Sequence, residues 1–177
     1  LSGTLAALSQ NFKSLLAPLL TTIRATPVLA LILIAMFWLP SSGVPVFSAF
    51  LMAYPLIHSS VCAGVESVDP ELVQMATVFK VPSKMILLKL RLPSASPYFL
   101  AGAKSALGLS WKVVVAGELL SQPRFALGTE MQDARLSLDT ASVLAWAAAT
   151  IFLCGISEFL LGIAARRLER ARMEPSS

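Results

Sequence analysis

From Ala25 to Val65 the chain carries no Asp, Glu, Lys or Arg, a stretch far longer than the ~20 residues one helix needs to cross hydrocarbon. The turn signal "LPSSGVP" at residues 39–45 divides it, so the pattern predicts two crossings. The first, over 15–39, must recruit residues before Pro27, because 28–39 alone are too few to span, and it is expected to bend at that proline. A membrane helix tolerates such a Pro where neighbours satisfy the freed carbonyl. The second, over 44–65, has Pro55 near its centre, a second expected kink. "SPYFLAGAKSALGLSWKVVVAGELL" predicts a third crossing over 96–120 that carries Lys104, Lys112 and Glu118, and 140–165 predicts a fourth in which Glu158 is the only charge. Between these two lies a polar segment, 121–139. At the start, "LSGTLAAL" has no basic region before an apolar one and no small-residue cleavage site, so it does not read as a signal peptide. Residues 1–14 read as the tail of a preceding membrane helix and a polar connection, and the chain as part of a longer protein.

The interruption at residues 67–93, "SVDPELVQMATVFKVPSKMILLKLRLP", has a different pattern. Asp69 is placed to cap a helix, Pro70 fits its first position, where a missing donor is harmless, and Glu71 sets a negative charge at the positive end of the dipole. Leu72, Met75, Ala76 and Phe79 then fall at i, i+3, i+4 and i+7, one apolar face on a very short helix. Helices that short are marginal in water, so the face needs a surface to bury against. "KVPS" breaks it, and "SKMILLKLRLP" predicts a second short helix ending at Pro93. Two surfaces remain open on this pattern: the lipid headgroup layer or a soluble partner.

Composition agrees with a lipid solvent. The 177 residues are 56% hydrophobic and 14% charged, with a mean hydropathy of +0.74, whereas soluble domains carry roughly 25% charge. The net charge of +4 is not a nucleic-acid footprint, because no patch interleaves aromatic and basic residues. The basic residues flank crossings instead: Lys80, Lys84, Lys89 and Arg91 in one segment, and Arg166, Arg167, Arg170 and Arg172 in a basic tail over 166–177. Basic residues are retained in the cytoplasm, which sets 67–93 and the C-terminus inside and 121–139 outside. Cys62 and Cys154 both fall in apolar segments without CxxC spacing, which predicts two buried free thiols and neither disulfide nor metal site. From the residues, the fold class is an all-α, multi-pass membrane protein.

The 67–93 stretch resembles the EAA loop of binding-protein-dependent ABC importer permeases, whose pattern is E-A-A, three residues, G, nine residues, I, any residue, L-P. The spacing falls without a gap on Gln74, Met75 and Ala76, then Lys80, then Leu90, Leu92 and Pro93. Ala76, Leu92 and Pro93 match, Leu90 is a near match, and Gln74, Met75 and Lys80 depart. "LLTTIRATPVLALILIAMFW", "AGVESVDPELVQMA", "AGAKSALGLSWKVVVAGELL" and a C-terminal "LER" look like the permeases of nitrate, sulfonate and taurine importers and their thiamine-precursor relatives. The resemblance implies a type I importer permease bundle in the bacterial cytoplasmic (inner) membrane. It implies that Pro70 to Phe79, with Glu71 and Leu72 at its start, is a coupling helix docked on an ATP-binding subunit. A second permease copy or homologue and an extracytoplasmic substrate-binding protein complete the assembly in membrane lipid. ATP and Mg belong to the partner, since this chain has no Gly-rich phosphate loop, and no cofactor, catalytic residue or nucleic acid is implied for this chain itself. At Lys80 the family's Gly permits a left-handed turn that a side chain enters at a cost of roughly 1 kcal/mol.

Ionisable groups within the membrane are functional candidates by default. Trp111 and Glu118 are candidates for the pathway or its gate, against a structural reading in which Glu118 lies at the outer headgroup level and Lys112 bonds a neighbouring helix. His58 beside Ser59 and Ser60 could suggest an intramembrane hydrolase, but no Gly-x-Ser-x-Gly or His-Glu-x-x-His frame accompanies it, and a buried, hydrogen-bonded His is the simpler expectation. Glu158 reads as structural. A rival to the transport reading is a non-transporting membrane scaffold that holds a soluble partner through the same amphipathic helix.

Overall fold

A computed structural model describes residues 2–173, and among them every regular element is helical. They run α1 (Ser2–Leu8), α2 (Gln10–Ala25), α3 (Val28–Met36), α4 (Gly43–Glu66), α5 (Pro70–Val78), α6 (Ser83–Ile86), a π-helical turn (Leu87–Arg91), α7 (Leu92–Ser121), α8 (Leu127–Leu136) and α9 (Thr140–Met173). Gly43–Glu66, Ser83–Ser121 and Thr140–Arg167 are each long and apolar enough to cross a membrane, and α2 with α3 makes a fourth if the interrupted pair counts as one span. This is the all-α polytopic fold of a type I importer permease.

Three expectations are corrected. The polar connection over 9–14 is helical: Ser9 Oγ accepts from the Phe12 amide, so α2 starts at Gln10 rather than near Leu15. No helix ends at Pro93. Its ring would crowd the Lys89 carbonyl and it offers no amide, and the chain answers with the wider π turn, in which the Leu92 amide reaches back to the Leu87 carbonyl. The crossing that should begin near 96 therefore starts at Ser83. α4 runs from Gly43 to Glu66 with Pro55 inside it. At the other end α9 continues through 166–173, so the basic tail is helical that far. Leu1, residues 174–177 and the side chains of the "LER" residues lie outside what is described.

The chain divides into two compact units. Leu1–Ala25 with Tyr54–Ser105 form the first. Its buried positions are mostly small, Ala6, Ala95 and Val65 among them, as expected where helices pack in lipid without a hydrophobic driving force between them. A Cβ on Gly64 would lie 2.8 Å from the Ala95 Cα, so here α4 meets the start of α7 backbone to backbone. In the same unit Pro97 cannot bond the Pro93 carbonyl, and the Ser96 hydroxyl donates to it instead at 2.8 Å.

Thr26–Ala53 with Ala106–Ser177 form the second unit. Leu31, Ala49, Met52 and Val113 make one buried cluster, and Ile32, Ala35 and Val44 another. α8 packs on α9, and Asp139 caps α9, accepting from the Ser142 amide at 3.1 Å and hydroxyl at 2.6 Å. Those bonds hold its carboxyl below the usual carboxylate range. The spanning part of α9 is only 6% buried, a surface that lipid or another chain must cover.

In this unit a Cβ on Gly117 would sit 2.9 Å from the Pro45 Cα, a backbone atom that cannot swing away. Gly117→Ala is expected to destabilise the protein by about 1–3 kcal/mol, read as a lower unfolding midpoint in detergent. Gly155, with open space around it, is the control: Gly155→Ala should leave the midpoint unchanged or raise it slightly through helix propensity.

Candidate functional site: an exposed helix and three lined cavities

α5 is built as its sequence demands. The Asp69 carboxylate accepts from the Glu71 amide at 2.8 Å, and Pro70 occupies the first helical position. None of its residues is buried. Leu72, Met75 and Phe79 are exposed, with Val78 beside them, and Phe79 shows 75% of its surface. Glu71 and Gln74 are exposed as well, while Ala76 is half-buried. The helix ends in a complete Schellman motif: the Val81 amide donates to the Ala76 carbonyl at 3.0 Å and the Lys80 amide to Thr77 at 2.9 Å. Lys80 is the left-handed residue of that motif, at φ 57, where the EAA pattern has Gly. Leu90 lies in the π turn, and Leu92 and Pro93 open α7. Beside α5, a groove of about 380 Å³ is lined by Val73, Thr77, Ser83, Lys84, Leu87 and Arg91 among others.

A second cavity, of about 280 Å³, lies between α2 and the last half of α4. Lys13 pairs with Glu66, the single ion pair among the described residues, and Glu66 also accepts from the Cys62 thiol at 3.5 Å. Deeper along α4, Arg24 Nη2 donates to the Pro55 carbonyl at 2.6 Å and to Ser59 Oγ at 2.8 Å. His58 lines the same space. It is buried and bonds the Ser2 backbone, as expected of a core histidine, but its Nε2 has no hydrogen-bond partner. No hydrolytic arrangement surrounds it: Glu66, at the end of the same cavity, pairs with Lys13, and Ser59 Oγ is spent on Arg24 and the Leu56 carbonyl.

Trp111 and Glu118 do not share a site. Trp111 Nε1 donates to Ser157 Oγ at 2.8 Å and lines a largely apolar cavity of about 520 Å³ with Lys112, Cys154 and Glu158. Lys112 is exposed rather than bonded to a neighbouring helix. Glu118 Oε2 accepts from the Gly128 amide at 2.9 Å, holding the first turn of α8, whose N-terminal amides lack helical acceptors. Cys62 is buried, whereas Cys154 is only partly covered, which corrects the expectation of two buried thiols. Among the described residues no group of three or more His, Cys, Asp or Glu is arranged to hold a metal.

Sequence reasoning missed Arg24. The signal was present: an arginine inside the crossing counted from residue 15, about four turns before its end at 39. It went unused because the charge-free count began one residue later, at Ala25. The Lys13–Glu66 pair was not legible, since the two residues lie 53 positions apart and only packing joins them.

Two variants test these assignments. Lys80→Gly relieves a left-handed side chain and is expected to stabilise the end of α5 by up to about 1 kcal/mol, seen as slower amide exchange at Phe79 to Val81. Glu118→Ala strips the acceptor from Gly128 and should cost about 1–3 kcal/mol locally, seen as faster exchange in α8. Glu118→Gln keeps an acceptor oxygen, so it should exchange nearly as wild type.

Comparison with known proteins follows the same lines. The chain is 32% identical over 177 residues to the taurine transport system permease protein TauC of Escherichia coli, covering 98% of this chain and 61% of that protein. It is 28% identical over 133 residues to the bicarbonate transport system permease protein CmpB of Synechococcus elongatus, covering 75% of this chain and 48% of that one. With the nitrate import permease protein NrtB of Leptolyngbya laminosa it shares 31% identity over 127 residues, 67% of this chain and 43% of that protein. It thus spans less than two thirds of the length of these relatives. Residues 1–170 match the family described as the inner membrane component of binding-protein-dependent transport systems, and the chain, apolar in its crossings and carrying an EAA-spaced loop, belongs to that family.

Proposed function

We propose that this chain is the membrane-spanning permease subunit of an ABC importer in the bacterial inner membrane, pairing with a second permease copy or homologue. It forms the solute pathway and hydrolyses nothing itself; ATP and Mg act on a separate ATP-binding subunit, and an external binding protein delivers the solute. The solute is a small organic or inorganic anion of the nitrate, sulfonate or taurine kind, or a thiamine-precursor-like compound; relatives carrying the names of taurine, bicarbonate and nitrate transport support the anion class.

The observation that carries this reading is α5. It leaves Leu72, Met75, Val78 and Phe79 uncovered on nine residues, and each large side chain buried on docking is worth roughly 1.5 to 3 kcal/mol before ordering costs. Its basic surroundings, Lys80, Lys84, Lys89 and Arg91, set it on the cytoplasmic side, where an ATPase subunit is found. Because Ser83–Ser121 runs as one helical span, force applied to the loop end passes directly into a crossing. That continuity is the coupling element we assign.

Met75→Asp and Phe79→Asp place an unpaired charge on this surface without touching a buried position. Each should leave insertion and folding intact while the ATPase subunits are lost on co-purification, or remain with hydrolysis no longer stimulated by the solute-loaded binding protein. A helix lying in headgroups predicts the opposite, weaker membrane contact with ATPase binding and coupled transport preserved. A scaffold predicts a retained partner with no solute-dependent turnover in the wild type.

A further inference from the structure

Among the described residues, Arg24 is a cation at membrane depth with no anion paired to it. Its acceptor Pro55 lies eleven residues before Glu66, the end of α4, which is about 16 Å at a 1.5 Å rise, roughly half of a 30 Å hydrocarbon layer. Both of its hydrogen bonds leave from Nη2 and both acceptors are neutral. The carboxylate in the same cavity, Glu66, is already neutralised by Lys13. Nε–H and the two Nη1–H groups of Arg24 remain, in the flat fork that suits an oxyanion. A charge in that position is costly unless paired or wet.

The second observation is independent of the first. His58 is 7% exposed and lines the same cavity with an unpartnered Nε2. The remaining wall adds Thr21 and Ser59, whose hydroxyls donate to the Ala17 and Leu56 carbonyls. At about 280 Å³ the space is at the small end of ligand pockets, which run to ~1,000 Å³. It holds one net positive charge, a fork of free donors and a buried imidazole.

We infer that this cavity binds a small oxyanion, a nitrate, carbonate or sulfonate group, through the free N–H groups of Arg24, with His58 beside it, and that it is a station for the solute halfway across the membrane. The inference deepens the permease reading and rests on it for the ligand's role as cargo; the binding site itself rests on the cavity. Lys13 and Glu66, neutral as a pair, close the end nearer the cytoplasm and leave the anion attracted to Arg24 alone. Held by one cation rather than several, the anion can leave, as transport requires.

The test uses the full-length protein, purified with its ATPase subunits and placed in phosphatidylcholine nanodiscs. A reporter is introduced by Ala63→Cys, on the exposed wall of the cavity, with Cys62→Ser, Cys154→Ser and any other cysteine replaced. Modification of the reporter by N-ethylmaleimide is timed while nitrate, bicarbonate or taurine is titrated against chloride at constant ionic strength. At least one of the three should slow labelling fivefold or more, saturably. Arg24→Gln should abolish the protection, and Arg24→Lys should retain it only at higher concentration. Thr21→Leu, which narrows the space while leaving the Arg24 bonds in place, should weaken it as well. Labelling unaffected by all three anions, or equal protection in Arg24→Gln, overturns the site. Unchanged protection in Thr21→Leu overturns its location. Protection that requires phosphatidylglycerol in the disc and ignores soluble anions assigns the site to a lipid headgroup and overturns the cargo role. Because the labelling needs no ATP, anion protection in a protein that purifies without ATPase subunits would defeat the permease reading while leaving the binding site standing.

Discussion

A backbone carbonyl that loses its amide partner inside a bilayer has no water to turn to, and this chain places prolines inside its helices at Pro18, Pro55 and Pro97. Much of the local structure is an answer to that constraint. Ser96 replaces the amide that Pro97 lacks. The π turn before Pro93 re-spaces the ladder so that the helix continues. At Pro55 the proline deprives the Leu51 carbonyl of its amide, while the Arg24 guanidinium bonds one turn further on, to the Pro55 carbonyl and Ser59. Thr21 and Thr22 return their hydroxyls to the Ala17 and Pro18 carbonyls. Small hydroxylated residues in the crossings are thus backbone partners first.

The second constraint is that lipid is as apolar as a leucine side chain, so burial against hydrocarbon does not require burial against protein. Exposed apolar surface on α9 is therefore ordinary, with Ile151, Phe152 and Phe159 open on a segment that lipid can cover. The same exposure on α5 has a different meaning. That helix is capped by Asp69, flanked by cations and closed by a Schellman turn, features of a water-facing segment, yet it shows Met75 and Phe79. Apolar surface that water must cover is the costly kind, and a partner relieves it.

Much of this was legible in the sequence because the patterns concerned are local. The charge-free run, the Asp69–Pro70–Glu71 start and the i, i+3, i+4, i+7 spacing each depend on neighbours in the chain, and α4 and α5 lie where those signals set them. The left-handed conformation of Lys80 is that of the family's Gly at the matching EAA position, although the Lys itself gave no sign of it. What failed also has physical causes. Pro93 reads as a stop because an α-helix cannot absorb it, and nothing local announces that a π turn will. The polar residues of 9–14 read as a connection, yet Ser9 caps them and Lys13 finds Glu66 across the unit. The partners of Trp111 and Glu118 were not legible at all, since they come from α9 and α8.

The charges inside the apolar segments separate once their partners are known. Glu66 has Lys13; Glu118 has a backbone amide at the open end of a helix; Lys112 and Glu158 share one cavity without bonding to each other. In each case either an opposite charge or a helix terminus is at hand. Arg24 has only neutral oxygens, each able to take a hydrogen bond and neither able to cancel a charge. A protein that needed Arg24 only to steady Pro55 and Ser59 could have used a neutral donor there, since both contacts come from a single nitrogen. The guanidinium adds a full positive charge and three further donors that the fold does not use, beside a histidine whose own nitrogen is also unused. Two unspent polar groups facing one small cavity are difficult to explain as packing, and an anion is the one class of ligand that satisfies the charge and the donors together.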